Sequence, residues 1–137
     1  MKIVFDTNVV IDAVASREPF HREAEAILLM ASEEKIKGYL TANSITDIFY
    51  VARRSLPETE ARGIIRSLIY SLEVIEVGGA DCWEALSLPI SDFEDALIVM
   101  CAKKVEADYI ISRDNNLLKV ACPVQVISPS EFLARYS

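Results

Sequence analysis

The sequence predicts an α/β domain built around a central, mostly parallel sheet. Short β-prone apolar runs alternate along the chain with segments in which apolar residues recur at helical spacing. The 137 residues are 52% hydrophobic, which is enough to bury a core. No repeat or linker-like stretch divides the chain, so residues 1–137 are predicted to form one domain.

The predicted strands are short apolar runs that end in polar or turn-forming residues: residues 3–5, 38–41, 73–77, 109–112 and 124–127. Apolar periodicity predicts helices over residues 19–31, 43–54, 80–88 and 91–107, with two more beginning at residues 57 and 128. Residues 91–94 have the Ser-x-x-Glu form of a capping box, and Ser128 precedes a first-turn proline. Residues 6–8 bound the first strand, and residues 113–116 are interpreted as a turn.

Composition excludes several classes of protein. Fourteen basic against twenty-one acidic residues give a net charge of −7, which argues against a broad polyphosphate-binding surface. Four glycines leave no glycine-rich phosphate loop, and one histidine leaves no multi-histidine zinc site. The start of the chain resembles a signal peptide, but Asp6 and Asp12 interrupt its apolar stretch. We therefore expect a soluble, cytoplasmic protein.

Two acids follow predicted strands directly. Asp6 comes after the first strand and Asp114 shortly after the fourth. Because ligands of parallel sheets bind outside the carboxyl ends of the strands, both side chains are expected in one crevice. The alternative is that each acid caps the helix that follows it.

A third acid, Asp95, lies on the apolar stripe of the helix that begins near Ser91. An ionised carboxylate that faces the sheet needs a partner, and a metal shared with Asp6 and Asp114 would provide one. Asp92 fits the ordinary interpretation of an acid at a helix start. Asp47 is interpreted as an ordinary surface acid when taken alone, and Asp12 as a solvated one without a role. Carboxylates without neighbouring His or Cys favour Mg²⁺ or Mn²⁺, ions that commonly serve phosphate chemistry.

Three segments resemble the PIN-domain family. Residues 1–9 (MKIVFDTNV) resemble its first strand and first acid, residues 92–98 (DFEDALI) its helix with the third acid, and residues 107–114 (ADYIISRD) its next strand and fourth acid. Each segment is short, but their order and separations agree, and the resemblance covers essentially the whole chain.

The resemblance implies a three-layer α/β/α fold and a Mg²⁺- or Mn²⁺-dependent ribonuclease acting on single-stranded or exposed RNA. Many small members of this family are VapC-type toxins, which an antitoxin encoded beside them inhibits. By position, Asp6, Asp95 and Asp114 would bind the metal. The implied reaction is hydrolysis of a phosphodiester by in-line attack of a metal-activated water.

The remaining site residues also come from the resemblance. Asp47 stands where the family usually has Glu, and its side chain is one methylene shorter. With that departure, Asp47 completes the expected catalytic set. Asn8, Asp92 and Ser112 are expected to support the metal-binding acids. Arg113 is expected to contact an RNA phosphate.

Three other classes of protein remain for comparison. A non-catalytic PIN-like module that binds RNA or protein is the leading alternative, since Asp47 departs from the family pattern. A receiver domain would need paired acids after the first strand, and a haloacid-dehalogenase-like phosphatase would need an acid where Asn8 stands. Both fit poorly. The apolar composition and the resemblance also predict a homodimer.

Overall fold

A computed structural model describes residues 1–120 and 122–137. Its elements in chain order are β1 (Lys2–Phe5), α1 (Thr7–Val14), α2 (His21–Ser32), β2 (Lys37–Thr41), α3 (Ala42–Arg53), α4 (Glu58–Ser71), β3 (Glu73–Ile75), α5 (Gly79–Ala85), α6 (Phe93–Lys104), β4 (Tyr109–Ile111), α7 (Asn115–Lys119), β5 (Gln125–Ile127) and α8 (Pro129–Tyr136). The strands form one parallel sheet in the order β3-β2-β1-β4-β5. The predicted α/β class with a parallel sheet is confirmed.

The central strand, β1, shows how the sheet separates two layers of helices. Successive side chains of a strand point to opposite faces. Ile3 and Phe5 pack in one buried cluster with residues of α1, α2, α3 and α8. Val4 lies in another with Ile98 of α6 and Ile110 of β4. The three-layer α/β/α architecture implied by the resemblance is therefore confirmed.

Helix α6 is enclosed on nearly all sides. Every residue from Asp95 to Ala102 is buried. Ile98 and Val99 pack toward the sheet, whereas Leu97 and Met100 pack in a separate cluster with Ala85 of α5. The prediction that Asp95 points inward is confirmed, because only 8% of this residue is exposed.

Helix α1 lies where the sequence predicted no element, between the first strand and the helix that begins near residue 19. The segment is rich in β-branched residues, which have low helix propensity. Val9 and Val10 are completely buried in the core cluster beside the sheet. Tertiary burial therefore stabilises a helix that local propensity does not predict.

The start of α6 also differs from the prediction. The capping residue is Asp92, whose Oδ1 accepts a hydrogen bond from the Asp95 amide at 3.1 Å, so the capping box at Ser91 was wrong. The proposed turn at residues 113–116 instead runs into α7. Asp114 caps this helix by accepting a hydrogen bond from the Asn116 amide at 2.9 Å. The capping residue predicted at Ser128 is confirmed.

The other predicted elements are present with shifted ends. The strands end earlier at Ile75 and Ile111, and the helix predicted to reach residue 107 ends at Lys104. In the described part of the chain, every helix is too short or too polar to cross a lipid bilayer.

Candidate active site

The first part of the site lies where β1 and β4 end side by side. Phe5 pairs with Ile111 in the parallel register, so Asp6 and Ser112 follow at adjacent positions. The Asp6 amide donates to the Ile111 carbonyl at 2.9 Å, which anchors the exit of β1 against β4. Only 3% of Asp6 is exposed. The sheet therefore places this carboxylate at its carboxyl edge, as predicted for a strand-end acid.

Ser112 connects the first acid to the fourth. Its hydroxyl donates to Asp6 Oδ2 at 2.7 Å and accepts from the Asp114 amide at 3.0 Å. Ser112 is itself completely buried. This single side chain therefore fixes the Asp6 carboxylate and the backbone that carries Asp114. Asp114 both caps α7 and lines the cleft, so the two interpretations of this acid are compatible.

A cleft of about 390 Å³ brings the acids together. It is bounded by the exits of β1 and β4 and by α1, α3 and the start of α6. Six acids line it: Asp6, Asp47, Asp92, Glu94, Asp95 and Asp114. The other lining residues are Thr7, Asn8, Ile11, Arg17, Tyr50, Val51 and Arg54. Each acid and amide predicted for the site lines this cleft.

Burial and mutual repulsion disturb the ionisation of these acids. Burial, followed by repulsion from Asp6, Asp92 and Asp114, raises the pKa of Asp95 to about 7. Burial also raises the pKa of Asp6, against the hydrogen bond from Ser112, and the Asp114 charge raises it further. No lysine or arginine in the described part of the chain forms an ion pair with Asp6, Asp95 or Asp114. The cleft thus has more acids than basic residues in its lining, and these three acids have no ion-pair partner among the described residues.

The chemistry of this donor set fits a hard divalent cation. The ligands offered are carboxylate oxygens, which Mg²⁺ and Mn²⁺ prefer, and a cation would relieve the repulsion that raises the pKa of Asp95. Among residues 1–120 and 122–137, no three acids, histidines or cysteines stand at the separations of a closed metal site. The acids therefore line one cleft, but no three of them lie close enough together to coordinate one ion in the arrangement described.

Glu94 is a cleft acid that sequence reasoning missed. Its Oε1 accepts a hydrogen bond from the Thr7 hydroxyl at 3.0 Å, and Thr7 in turn lies 2.6 Å from the hydroxyl of buried Ser44 on α3. Burial and then repulsion from Asp47 and Asp6 raise the pKa of Glu94, against the Thr7 bond. The capping box assigned at Ser91 concealed this residue, because it gave the Glu94 carboxylate a different partner.

Asp47 and Asn8 take exposed positions at the rim of the cleft. Asp47 projects from α3 and Asn8 from the first turn of α1. Asp92 is also exposed and holds the first turn of α6 through its cap. These residues border the cleft, whereas Asp6 and Asp95 lie buried within it.

Arg113 lies apart from the residues that line the cleft. Its guanidinium donates twice to Asp12, with the Nη2–Oδ1 distance at 3.0 Å, and packs 4.1 Å from the centre of the Phe20 ring. Asp12 engages Nε and Nη2 only, and 30% of the Arg113 side chain is exposed, so a phosphate contact by Arg113 would use its remaining N–H donors. The basic residues that do line the cleft are Arg17 and Arg54.

Comparison with known proteins identifies the fold family. The PIN-domain family model matches residues 2–116. The chain belongs to the PIN-domain family. Over 141 aligned residues, this PIN domain is 25% identical to Ribonuclease VapC1 of Aquifex aeolicus (strain VF5), an alignment that covers 99% of this chain and 96% of the relative.

Solved structures share the PIN-domain fold with this chain. A toxin–antitoxin complex from Klebsiella pneumoniae matches with a TM-score of 0.69 at 20% identity, covering 93% of this chain and 97% of that one. VapBC-1 from nontypeable Haemophilus influenzae matches with a TM-score of 0.68 at 15% identity, covering 95% and 99%. The recognition made from three short segments is confirmed.

Proposed function

We propose that this PIN domain is a metal-dependent endoribonuclease that hydrolyses phosphodiester bonds in single-stranded or exposed RNA. The observation that carries the proposal is the cleft at the carboxyl edge of the sheet, where buried acids repel one another and Asp6, Asp95 and Asp114 form no ion pair among the described residues. The similarity to Ribonuclease VapC1 supports RNA as the substrate. With RNA as the proposed substrate, we also propose that the protein acts in the cytoplasm.

Asp6, Asp95 and Asp114 would hold Mg²⁺ or Mn²⁺. When bound, the cation would neutralise charge on the scissile phosphate and acidify the attacking water. Ser112 orients Asp6 through its hydroxyl, and Asp92 holds the turn that presents Asp95. Asp47 at the rim and Glu94 deeper in the cleft are placed to accept a proton from water or to bind it.

The chain's own cations would grip the RNA backbone. Arg17 and Arg54 line the cleft beside the acids, and both can contact phosphates next to the scissile one. Tyr50 lines the same cleft with 63% of its surface exposed, which suits stacking on an unpaired base. A stacking contact of this kind favours single-stranded RNA over a closed duplex.

We also propose that the protein is the toxin of a toxin–antitoxin pair and forms a homodimer. The likeness to a toxin–antitoxin complex from Klebsiella pneumoniae supports an antitoxin partner. Exposed apolar side chains on α2 and α4, Leu29, Ile69 and Tyr70, offer surface for a second chain. Light scattering at high micromolar concentration should give twice the mass of one chain, and a monomer would contradict the dimer.

A non-catalytic PIN-like module is the second candidate. Two observations favour it: Asp47 replaces the longer Glu of the family pattern, and the described acids do not close around a point. Such a module would bind RNA or protein without cutting RNA.

The deciding experiment uses purified protein and an end-labelled single-stranded RNA. We expect slow cleavage with Mn²⁺ or Mg²⁺, and none with excess EDTA or with the Asp6→Asn variant. Equal cleavage with chelator or with Asp6→Asn would identify a contaminating nuclease. Binding of RNA and Mn²⁺ without cleavage would favour the non-catalytic module.

A further inference from the structure

A partly buried ion pair lies beside the candidate active site. Asp12, on the second turn of α1, has 2% of its side chain exposed. Both of its carboxylate oxygens accept hydrogen bonds from the Arg113 guanidinium, across 101 residues of sequence. Asp12 was expected to be a solvated surface acid, and the structure shows that this interpretation was wrong. An isolated buried carboxylate would be costly, so Arg113 is the partner that makes this position tenable.

The position of Arg113 in the chain connects this pair to the cleft. It stands between Ser112, which binds Asp6, and Asp114, which lines the cleft. After Asp12, the acids whose charges act on Arg113 are Asp6 and Asp114. The guanidinium is therefore attracted by three carboxylates: Asp12, which lies outside the cleft, and Asp6 and Asp114, which line it.

The partial exposure of Arg113 leaves room for its side chain to move away from Asp12. The Arg113 side chain is 30% exposed, so it is not enclosed as the Asp12 carboxylate is. Its contact with Phe20 is the face of one ring, which guides the guanidinium without enclosing it. An arginine released from Asp12 can therefore turn toward the next carboxylates that attract it.

We propose that Asp12 sequesters the Arg113 guanidinium and thereby keeps the acids of the cleft available to a divalent cation. The inference rests on the proposed metal-dependent function of the same cleft. Without Asp12, Arg113 becomes an internal counterion of Asp6 and Asp114, and an external cation must displace it. Asp12 is thus a positioning residue that acts through Arg113, without contacting metal or RNA.

Stability alone is a weak explanation for this pair. Removing two charges from water costs about as much as their attraction returns, so apolar side chains of similar volume often serve a fold equally well. As a pair, Asp12 and Arg113 place an arginine beside the cleft without adding net charge of their own. The pair therefore preserves the negative potential that a cation requires.

The test measures Mn²⁺ binding to RNA-free protein by calorimetry, in wild type and in four variants. Asp12→Asn should weaken Mn²⁺ binding by about 10–100-fold, the range found when groups that support metal ligands are removed. In the Asp12→Asn/Arg113→Gln variant, binding should return close to the wild-type value, because the competing guanidinium is gone. Arg113→Gln alone should bind Mn²⁺ at least as tightly as wild type.

Arg17 provides the matched control. Its Nη1 lies 3.8 Å from Asp12 Oδ1, so Asp12→Asn releases this arginine as well. Asp12→Asn/Arg17→Gln should recover less Mn²⁺ binding than Asp12→Asn/Arg113→Gln, because Arg17 already lines the cleft in the wild type and is not held away from it by Asp12. Recovery with Arg17→Gln, and not with Arg113→Gln, would overturn the proposal.

Other outcomes also decide the question. Unchanged Mn²⁺ binding in Asp12→Asn, or no recovery in the double variant, would overturn sequestration. If Asp12→Asn does not fold, Mn²⁺ binding by Arg113→Gln is the test. Sequestration predicts binding at least as tight as in wild type, whereas a pair that only stabilises the turn carrying Asp114 predicts weaker binding. Failure of wild type to bind Mn²⁺ would overturn the inference. Wild-type Mn²⁺ binding without RNA cleavage would count against the proposed function and leave sequestration intact.

Discussion

Helix α1 carries two buried carboxylates in contrasting environments, one before its first turn and one on its second. Asp6 is 3% exposed and Asp12 is 1% exposed, so burial does not distinguish them. Asp12 has an arginine on both of its oxygens, whereas Asp6 has one serine hydroxyl and other acids around it. A buried acid with a matched cation is satisfied, and a buried acid among acids still lacks a partner.

Asp95 extends the contrast to a second element. It comes from α6, on the other side of the sheet from α1, and it meets Asp6 at the same cleft. Its pKa is raised to about 7 by burial and by its acidic neighbours, whereas Lys104 on the same helix pairs with Asp81 far from the cleft. Asp12 and Asp81 are thus paired with basic side chains, whereas Asp6, Asp95 and Asp114 have no ion-pair partner among the described residues. The cation that we propose for the cleft would supply one.

The largest effect is expected from Asp95→Asn. This variant tests whether Asp95 is a repelling acid of the cleft, like Asp6, or a structural acid with a partner, like Asp12. Loss of one metal ligand should lower RNA cleavage on the order of 100-fold or more. The metal-free variant should be at least as stable as wild type, because one of several repelling charges is gone. If the wild-type site binds Mg²⁺ with a dissociation constant of about 1 mM, about 10 mM Mg²⁺ should stabilise it by roughly 1.4 kcal/mol, and Asp95→Asn should lose most of this gain.

Thermal melts of both proteins with and without Mg²⁺ measure these differences. A clearly lower melting temperature for metal-free Asp95→Asn, with an unchanged response to Mg²⁺, would place Asp95 with the structural acids.

A smaller effect separates the two outer acids. Glu94 is half-buried and oriented by Thr7, whereas Asp47 is exposed at the rim. We expect Glu94→Gln to reduce kcat for RNA cleavage by about tenfold and Asp47→Asn by less, since an oriented carboxylate near a metal contributes more. Single-turnover kinetics on one RNA substrate give both values. A larger loss in Asp47→Asn would show that the shorter side chain keeps the role of the family's Glu.

The smallest effect is the pH dependence of stability without metal. The pKa of Asp95 rises from 3.8 to about 7 on folding, so between these values the folded protein holds a proton that the unfolded chain has lost. The stabilisation of the folded state by this proton is complete below the pKa of Asp95 in the unfolded chain and disappears as the pH rises through about 7. The melting temperature of metal-free wild type should therefore fall between about pH 5 and pH 8.

Asp95→Asn serves as the control for this slope, which should be shallower in the variant. Saturating Mn²⁺ should also flatten it, because the metal favours the ionised acids. Equal slopes in wild type and Asp95→Asn would contradict the raised pKa of this residue.

Much of the fold could be predicted because its signals are local. Short apolar runs identified the five strands of the described residues, and helical periodicity identified α2, α3 and α6 to within a few residues of their ends and the start of α4. Helix α1 escaped, since its β-branched residues become helical only when Val9 and Val10 are buried against the sheet. The capping of α6 escaped as well, because Ser91 and Asp92 are both acceptable caps and geometry chose between them.

The sequence by itself determined the order of the elements, the acids at the exits of β1 and β4, and the inward direction of Asp95. These follow from strand and helix periodicity, which depends on neighbours along the chain. Only the tertiary structure decided which acids pair with a basic side chain of the protein and which do not. Asp12 meets Arg113 across 101 residues, and Glu94 meets Thr7 across 87. Charge pairing acts through space, so residue spacing alone could not distinguish the satisfied carboxylate of Asp12 from the repelling ones of the cleft.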